Sequence, residues 1–518
     1  MMQTQVLIIG GGCTGTGLAR DLALRGIPCI LVEKRDINAG ASGGNHGLLH
    51  SGARYVVCDP HSSRECRAEA ELLKSLAPHC IEEAGGLFVA VAGDDENYIA
   101  DFESACPREG VRSEPLEVRE ALEREPRLTP RLTAAYAVDD AAVDPFRLSL
   151  DNIGQAVELG AVYLNSHEVV AIQTKSRHLH SIQVRNVQSG RTMSIQAEMV
   201  INATGAWAGH ITAMAGAPLE MHYSKGTLLV THYRLTNRII NRLRPPSDGD
   251  ILVPGGTVSI MGTTSVQLPD LERIRPTREE AEQMVSQGAA MLPCLQSTRF
   301  TRAYAGVRPL LKQSEVADGR AASRGFALID HARDGLDNFL TVTGGKLTTY
   351  RLMAEKTADL AAEKLGIKAE CRTRIEPLPE SSFGEWTEGG KSSKAWLSQA
   401  DAGDHLLCEC EMVPKSHVVQ VLAQLETQQA EVPDLNQLRR RTRFGKGGCQ
   451  GAYCSLRVTG LRYDQGKLEG DQGHRQIKEF LRARWSGQQP ILWDGQLVQA
   501  ELTEAMHCGL FDLEMQSD

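Results

Sequence analysis

No stretch of the 518 residues approaches the run of about 18 apolar positions that a membrane-spanning helix needs, so no direct membrane span is expected. A secretory leader is missing too: the N-terminus runs straight into an apolar strand. The expectation is a cytoplasmic chain, at most peripheral to a membrane. Cationic excess is absent, with 56 Lys and Arg against 65 Asp and Glu and a net charge of -9, which argues against a nucleic-acid surface. A disulfide framework is not expected either. Most of the 13 cysteines (among them Cys29, Cys58, Cys66, Cys80 and Cys294) read as scattered small core residues of a reducing compartment, but four are grouped. With 42% hydrophobic residues, a chain of this length should form two or three domains with sizeable cores.

What is present starts at Gln5. Gln5 to Ile9 is a short β-branched run that reads as a buried parallel strand, and it breaks at Gly10-Gly11-Gly12. Gly10, Gly12 and Gly15 fill the GxGxxG positions, Leu18, Leu22 and Leu24 carry a helix to Gly26, and Cys29 to Glu33 resumes as strand. The glycines serve a tight turn, a close backbone approach to a pyrophosphate, and helix-to-sheet contact, with the diphosphate at the positive helix end. Glu33, 18 residues past Gly15, is placed to accept a ribose hydroxyl. Strand, helix, second strand and acid in register predict dinucleotide binding, and the N-terminal position favours FAD over a nicotinamide.

Asn38 to Tyr55 is rich in glycine and small polar residues, and it concentrates His46, His50, Arg54 and Tyr55 within ten positions. Small residues let backbone lie against a flat ligand, and proton-transfer and anion-binding groups on a loop predict a site. Helices are expected over Ser63 to Ala77, from an Asp144-Pro145 cap to Gly160, and from the Thr277 capping box to near Pro293. Leu228 to His232, Ile251 to Val253 and Val258 to Gly262 are strand-like without intervening helices, which predicts an antiparallel, substrate-facing sheet. Asn202 to Trp207 reads as a second strand-to-turn junction, with Trp207 taken as a core residue. Phe339 to Tyr350 is strand, double glycine and helix start, whose first turn should point N-H groups at something anionic. Lys346 in that turn would add positive charge, and Arg54, Arg308 and Arg324 together make a phosphate clamp.

Beyond residue 370 the composition changes. Residues 371–404 read as a linker, rich in Pro, Gly and Ser from Glu376 on. Cys408 and Cys410 form CxC, and after a 38-residue gap Cys449 and Cys454 form CxxxxC. Two close pairs of thiolates predict a metal site, and spacing alone allows zinc or iron-sulfur. Arg439, Arg440, Arg441, Arg443 and Lys446 crowd the approach to Cys449. Beside an anionic cluster they would offset its charge or dock an acidic partner.

GGGCTGTG, NHGLLHSGARY, DPFRL, INATGAW, KGTLLV, GTTS, GVRPL and GGKLTTYRLMAE, in this order, resemble the FAD-dependent glycerol-3-phosphate dehydrogenases over residues 5 to about 365. The pattern is nearest to the catalytic subunit of the bacterial anaerobic enzyme. The resemblance implies an α/β fold: a Rossmann-like FAD-binding domain of the D-amino-acid-oxidase and glutathione-reductase-2 type, interleaved with an antiparallel substrate layer over 1–370. It also implies oxidation of sn-glycerol 3-phosphate to dihydroxyacetone phosphate. Carried over by position, His50, Arg54, Tyr55, Arg308, Arg324 and Lys346 form the catalytic set. The FAD contacts would be Gly10, Gly12, Cys13, Thr14, Gly15, Glu33, Lys34, Ala41, Ser42, Asn45, Gly47, Leu48, His50, Val169, Thr204, Gly205, Gly345, Lys346, Leu347 and Thr348. His50 is the first candidate base and Lys346 the second.

Where some relatives place a histidine after the KG pair and its following residue, Leu228 stands here, so no substrate role carries over. Residues 405–460 resemble the bacterioferritin-associated-ferredoxin domain, which implies a 2Fe-2S cluster on Cys408, Cys410, Cys449 and Cys454. Residues 461–518 form a helical tail. The family also implies two partners, a second flavoprotein and a membrane-anchoring iron-sulfur subunit that passes electrons to quinone. Three alternatives stay open: an amino acid or 2-hydroxy acid as substrate, a redox sensor without catalysis, and a C-terminal zinc module.

Overall fold

The computed structural model describes residues 1–311, 325–385, 390–399, 401–428 and 432–512. Strand Met2–Ile9 is buried on both faces over Val6 to Ile9, as its apolar run requires of an interior parallel strand. It pairs in parallel with Cys29–Val32 on one side and Thr192–Asn202 on the other. The sheet grows outward through Val162–Leu164 at one end and through Phe339–Gly344, which runs parallel to Val200–Asn202, at the other. His167–Lys175 and His178–Asn186 add an antiparallel flap. Helix Cys13–Leu24 lies against helices Pro145–Glu158 and Tyr350–Lys364, with Leu18, Leu22, Ile153 and Ala358 in one apolar core. Asp144 caps the second of these helices by accepting from the Phe146 and Arg147 N-H groups.

The second sheet is built around a long antiparallel strand pair. Met221–Thr231 and Phe300–Leu311 pair antiparallel along almost their whole length. Val258–Gly262 and Ile251–Gly255 continue the antiparallel ladder, as the sequence leads one to expect. Two departures concern Gly86–Val91: it joins this sheet from far upstream, and it pairs in parallel with Ile239–Arg242. The Thr277 capping box opens helix Arg278–Ala289, which covers the back of the sheet through Ala281 and Met284.

The C-terminal lobe holds a short hairpin, Leu406–Cys408 with Val413–Pro414, and the helices Lys415–Gln428, Leu435–Thr442 and Cys454–Asp464. Helix Gln472–Gln488 belongs to the same core, because Ile477, Phe480 and Leu481 pack among Leu438, Phe444 and Val458. Just beyond it Ile491 and Leu492 enter the core of the second sheet, so the tail ties the two lobes together. The connector is loose in composition but not in its first part. Leu378 and Ser381 are buried, and Ser381 donates through its backbone N-H (2.9 Å) and hydroxyl (2.7 Å) to Asp151. Leu378 and Ser381 are thus held against the first lobe, although Pro377 and Ser382 stay exposed, and composition cannot foresee which of them docks. No helix among the described residues is long and apolar enough to cross a membrane.

Candidate active site and cysteine centre

A cavity of ≈ 1000 Å³ opens where the parallel strands end, at Ile9, Val32, Ala203 and Val342. Ligands of open α/β sheets bind at such carboxyl edges. Its floor is backbone. Gly10 has φ +114°, a left-handed value that favours glycine, and a Cβ there would lie 2.6 Å from the Ala203 carbonyl oxygen. A Cβ on Gly15 would overlap the Gly10 carbonyl oxygen, and one on Gly12 would lie 2.9 Å from the Ser42 hydroxyl. The first turn of helix Cys13–Leu24 faces this space with its N-H groups, and Thr14 lines it. Glu33 accepts from the Gly11 N-H at 2.7 Å and the Arg35 N-H at 2.8 Å, and burial raises its carboxyl pKa. Each oxygen keeps a second lone pair for a ribose hydroxyl. A long crevice with a glycine cradle, a helix N-terminus and a ribose-facing acid fits FAD.

The wall draws Gly10, Gly12, Cys13, Thr14, Glu33, Lys34, Ala41, Ser42, Asn45, His50, Val169, Thr204, Gly205, Gly345, Lys346 and Leu347 from segments far apart in sequence. Gly15, Gly47, Leu48 and Thr348 stand behind it. Leu48 is in a hydrophobic cluster, and the Thr348 hydroxyl accepts the His50 backbone N-H at 3.1 Å. Trp207, read from sequence as core, also lines the cavity, with the Arg35 guanidinium 6.0 Å from its ring centre.

At one end the wall becomes cationic. Arg54 is buried and donates to Asp250 at 2.7 Å and to the Arg242 carbonyl at 3.2 Å. Arg308, on strand Phe300–Leu311, donates to the Ser224 hydroxyl at 3.0 Å, the Thr264 carbonyl at 2.9 Å and the Thr263 hydroxyl. Its guanidinium crosses Gly226, where a Cβ would be 3.0 Å away. Lys346 reaches the Ser62 hydroxyl at 2.8 Å and sits 4.7 Å over the Tyr55 ring. The Tyr55 hydroxyl is 3.5 Å from His50 Nε2. His46 also lines this end, and its pKa is pushed down to about 4 by burial first and by the charges of Arg308 and Arg54 next. Arg324 lies outside the described residues. Lys225 points away and is buried in a pair with Glu280 at 2.9 Å.

The four grouped cysteines meet at the other lobe. Cys408 ends a strand, Cys410 follows in its turn, Cys449 sits in a glycine-rich turn and Cys454 opens a helix. Cys410 and Cys449 sulfurs are 3.7 Å apart, and a hydrogen bond from Cys454 draws the Cys408 thiol down to about 7. No three of the four sulfurs lie within 4.8 Å of one another among the described residues, so they stand as two pairs. Mutual tetrahedral coordination of one zinc would set every sulfur about 3.8 Å from the others, given Zn–S near 2.3 Å. The basic run does something other than face the sulfurs. Arg440 and Arg441 hold Asp36 of the first lobe at 3.1 and 3.0 Å, and Lys446 lies 5.8 Å over the Phe146 ring. Burial acts against the Asp36 charge, yet Arg441 and then Arg440 keep its carboxyl well below the usual range.

Residues 5–360 match the family model described as FAD dependent oxidoreductase. The chain is 42% identical to the A subunit of the anaerobic glycerol-3-phosphate dehydrogenase of Escherichia coli (strain K12), covering 99% of this chain and 97% of that one. The chain belongs to the FAD dependent oxidoreductases, in the branch of the anaerobic glycerol-3-phosphate dehydrogenases. The A1 subunit of the Haloferax volcanii enzyme is 38% identical over 97% of this chain and 89% of its own. The glycerol-3-phosphate dehydrogenase from Bacillus halodurans, solved with FAD, superposes with a TM-score of 0.66 at 21% identity, over 95% of this chain and 96% of that one. That likeness speaks for the fold.

Sequence reading of this dehydrogenase missed two features, Asp250 beneath Arg54 and Asp36 beneath the arginine run, and it grouped His46 with the site loop without giving it a role. Asp36 and Asp250 carry no local signal, since each meets its cation only through tertiary packing. His46 did carry one, being part of the dense NHGLLHSGARY stretch.

Proposed function

We propose that this chain oxidises sn-glycerol 3-phosphate to dihydroxyacetone phosphate, with the phosphate held by Arg54 and Arg308 and the reacting carbon turned toward the flavin. The observation that carries the reading is the cationic end of the cavity, continuous with the glycine cradle at its other end. FAD supplies a two-electron acceptor there. Arg308 brings a planar fork that carboxylate or phosphate oxygens match, and its existing bonds to Ser224 and the Thr264 carbonyl fix its direction. Arg54 is oriented by Asp250, which also tempers its charge, so the pair grips a dianion without trapping product. Arg324 is a third candidate for the clamp. Lys346 and the opening turn of its helix face the same space and favour negative charge developing on the ring edge. Tyr55 and His50 line the same end of the cavity.

The four cysteines would hold a 2Fe-2S cluster. Two separated sulfur pairs suit two irons with two thiolates each better than one zinc. A one-electron centre beside a two-electron site suits transfer to a partner rather than to oxygen. That is in keeping with the name of the Escherichia coli relative, which makes it one subunit of a larger enzyme. Two partners, a second flavoprotein and a membrane-anchoring iron-sulfur subunit, would then receive the electrons, and would attach this chain to the inner face of the cell membrane.

Anaerobic addition of sn-glycerol 3-phosphate to the purified holoprotein tests both parts. The yellow flavin absorbance should bleach, then the brown cluster absorbance, while glycerol, a 2-hydroxy acid or an amino acid leaves both unchanged. A flavin that stays oxidised with the phosphorylated polyol overturns the substrate reading. A protein that contains zinc and no iron overturns the cluster.

A further inference from the structure

We propose that the outer face of helix Asp494–Phe511 is the docking site of the electron-accepting partner protein, which lays an apolar segment edged with basic residues on it beside the cysteine centre. The inference rests on the cluster reading above and says where that cluster's electrons leave the chain.

The helix is anchored by one side. Leu497 and Ala500 pack against the core of the second sheet, Phe511 packs against the core of the cysteine lobe, and the His507 ring centre lies 6.4 Å from that of Tyr453. Away from these contacts Val498, Leu502, Met506 and Leu510 are 60, 53, 54 and 71% exposed. Their spacing of four sets them in one slanting stripe about 18 Å long. Trp493 before the helix and Tyr453 beside it are exposed as well, so six of the 14 exposed large hydrophobics among the described residues stand in this one place. Single apolar residues are ordinary on a surface, but a contiguous patch that includes methionine and aromatic rings is what a partner covers.

Charge and position select the occupant. The helix holds Asp494, Glu501 and Glu504 and no Lys or Arg. A second copy would bring acids onto acids, and an anionic lipid surface would repel them, whereas a partner edged with Lys or Arg complements them. Between this helix and the turn that bears Cys449 lies a cleft of ≈ 390 Å³, lined by Cys449, Tyr453, Trp485, His507 and Cys508. Cys449 stands 3.7 Å from Cys410, which is exposed. A protein seated on the stripe therefore borders the open side of the cysteine centre, and electron transfer weakens steeply with distance. Two single-electron transfers per substrate would carry the pair from reduced FAD through the cluster to a flavin or iron-sulfur centre of the partner. That centre is reduced as the cluster is reoxidised, and the two protons of the alcohol pass to solvent.

The test is co-purification of the tagged holoprotein, expressed anaerobically in the cells it comes from, wild type against the double variant Leu502→Glu with Met506→Glu. Each protein recovered is identified by mass spectrometry and assayed for its own flavin or iron. Wild type should bring down a flavin- or iron-sulfur-bearing protein in about equal amount, and the double variant at least about tenfold less. FAD, iron and flavin bleaching by sn-glycerol 3-phosphate in the variant should match wild type. Recovery of that partner by the variant within about threefold of wild type overturns the proposal, as does a wild type that brings down no such protein. A wild type that associates only with itself in light scattering overturns it in favour of a second copy. One that only floats with phosphatidylcholine and phosphatidylglycerol vesicles overturns it in favour of a membrane. Should the double variant lose FAD or iron, photo-crosslinking from Leu502→Cys labelled with benzophenone decides alone: no link to that redox protein overturns the proposal. Wild type that lacks iron in metal analysis is the failure of the cluster reading instead.

Discussion

The flavin crevice and the cysteine centre are built in opposite ways. The crevice is backbone: missing Cβ atoms at Gly10, Gly12 and Gly15, and the first turn of a helix. The cysteine centre is side chain: four thiols from a strand end, two turns and a helix start, of which Cys408 and Cys454 are buried while Cys410 is exposed. A backbone cradle exists before its ligand arrives, because the hydrogen bonds that shape it are those of strand and helix. Four thiols close together repel as they ionise, so that lobe would draw part of its stability from a bound metal.

The largest expected effect separates the two centres. Gly15→Val puts a side chain onto the Gly10 carbonyl, and FAD content should fall below about a tenth while iron is retained. Cys410→Ser should do the reverse, removing iron and leaving FAD. Visible spectra and metal analysis of both variants check the pair, and a Cys410→Ser protein that also loses FAD would mean the lobes are not independent.

The Asp36 clamp is one of the places where the two regions touch, and it should come next in size. Asp36 is 1% exposed and shared by Arg440 and Arg441, so Asp36→Asn leaves buried cations short of a partner, a cost of about 3 to 5 kcal/mol. Faster hydrogen exchange across Leu435–Thr442, with the first lobe unchanged, is the expected signature. The sign with pH follows from the lowered carboxyl. Its contribution is fully present above the ordinary carboxylate range and is lost as pH falls below that range through the depressed native value. The clamp should therefore survive mild acid. The smallest effect is a control: Thr277→Ala removes the hydroxyl of a capping box, a side chain that lines neither centre, for about 1 kcal/mol of thermal stability, with flavin and iron contents unchanged.

Legibility followed the range of the interaction. The first βαβ unit, the caps at Asp144 and Thr277 and the antiparallel middle sheet could be read from neighbours in sequence, because periodicity, glycine and capping residues act within a few positions. Trp207 was read as core because an aromatic side chain gives no hint of which wall it joins. Gly47, Leu48 and Thr348 neighbour wall residues in sequence but do not line the cavity themselves, because closeness along the chain does not say which residue meets the open space. The connector after residue 370 was misjudged for a related reason: polar composition measures affinity for water, not the shape of a neighbouring notch.

The sequence by itself determined that a dinucleotide crevice opens the chain, that arginines suited to an anion accompany it, and that four cysteines stand apart from the rest. Only the tertiary structure decided how charge is arranged. Arg54 and Asp250 are 196 positions apart, and Arg441 and Asp36 are 405 apart. Whether a cation is free to hold substrate, tied to a carboxylate or clamping two lobes depends on which groups share its low-dielectric surroundings, and no local pattern of residues carries that information.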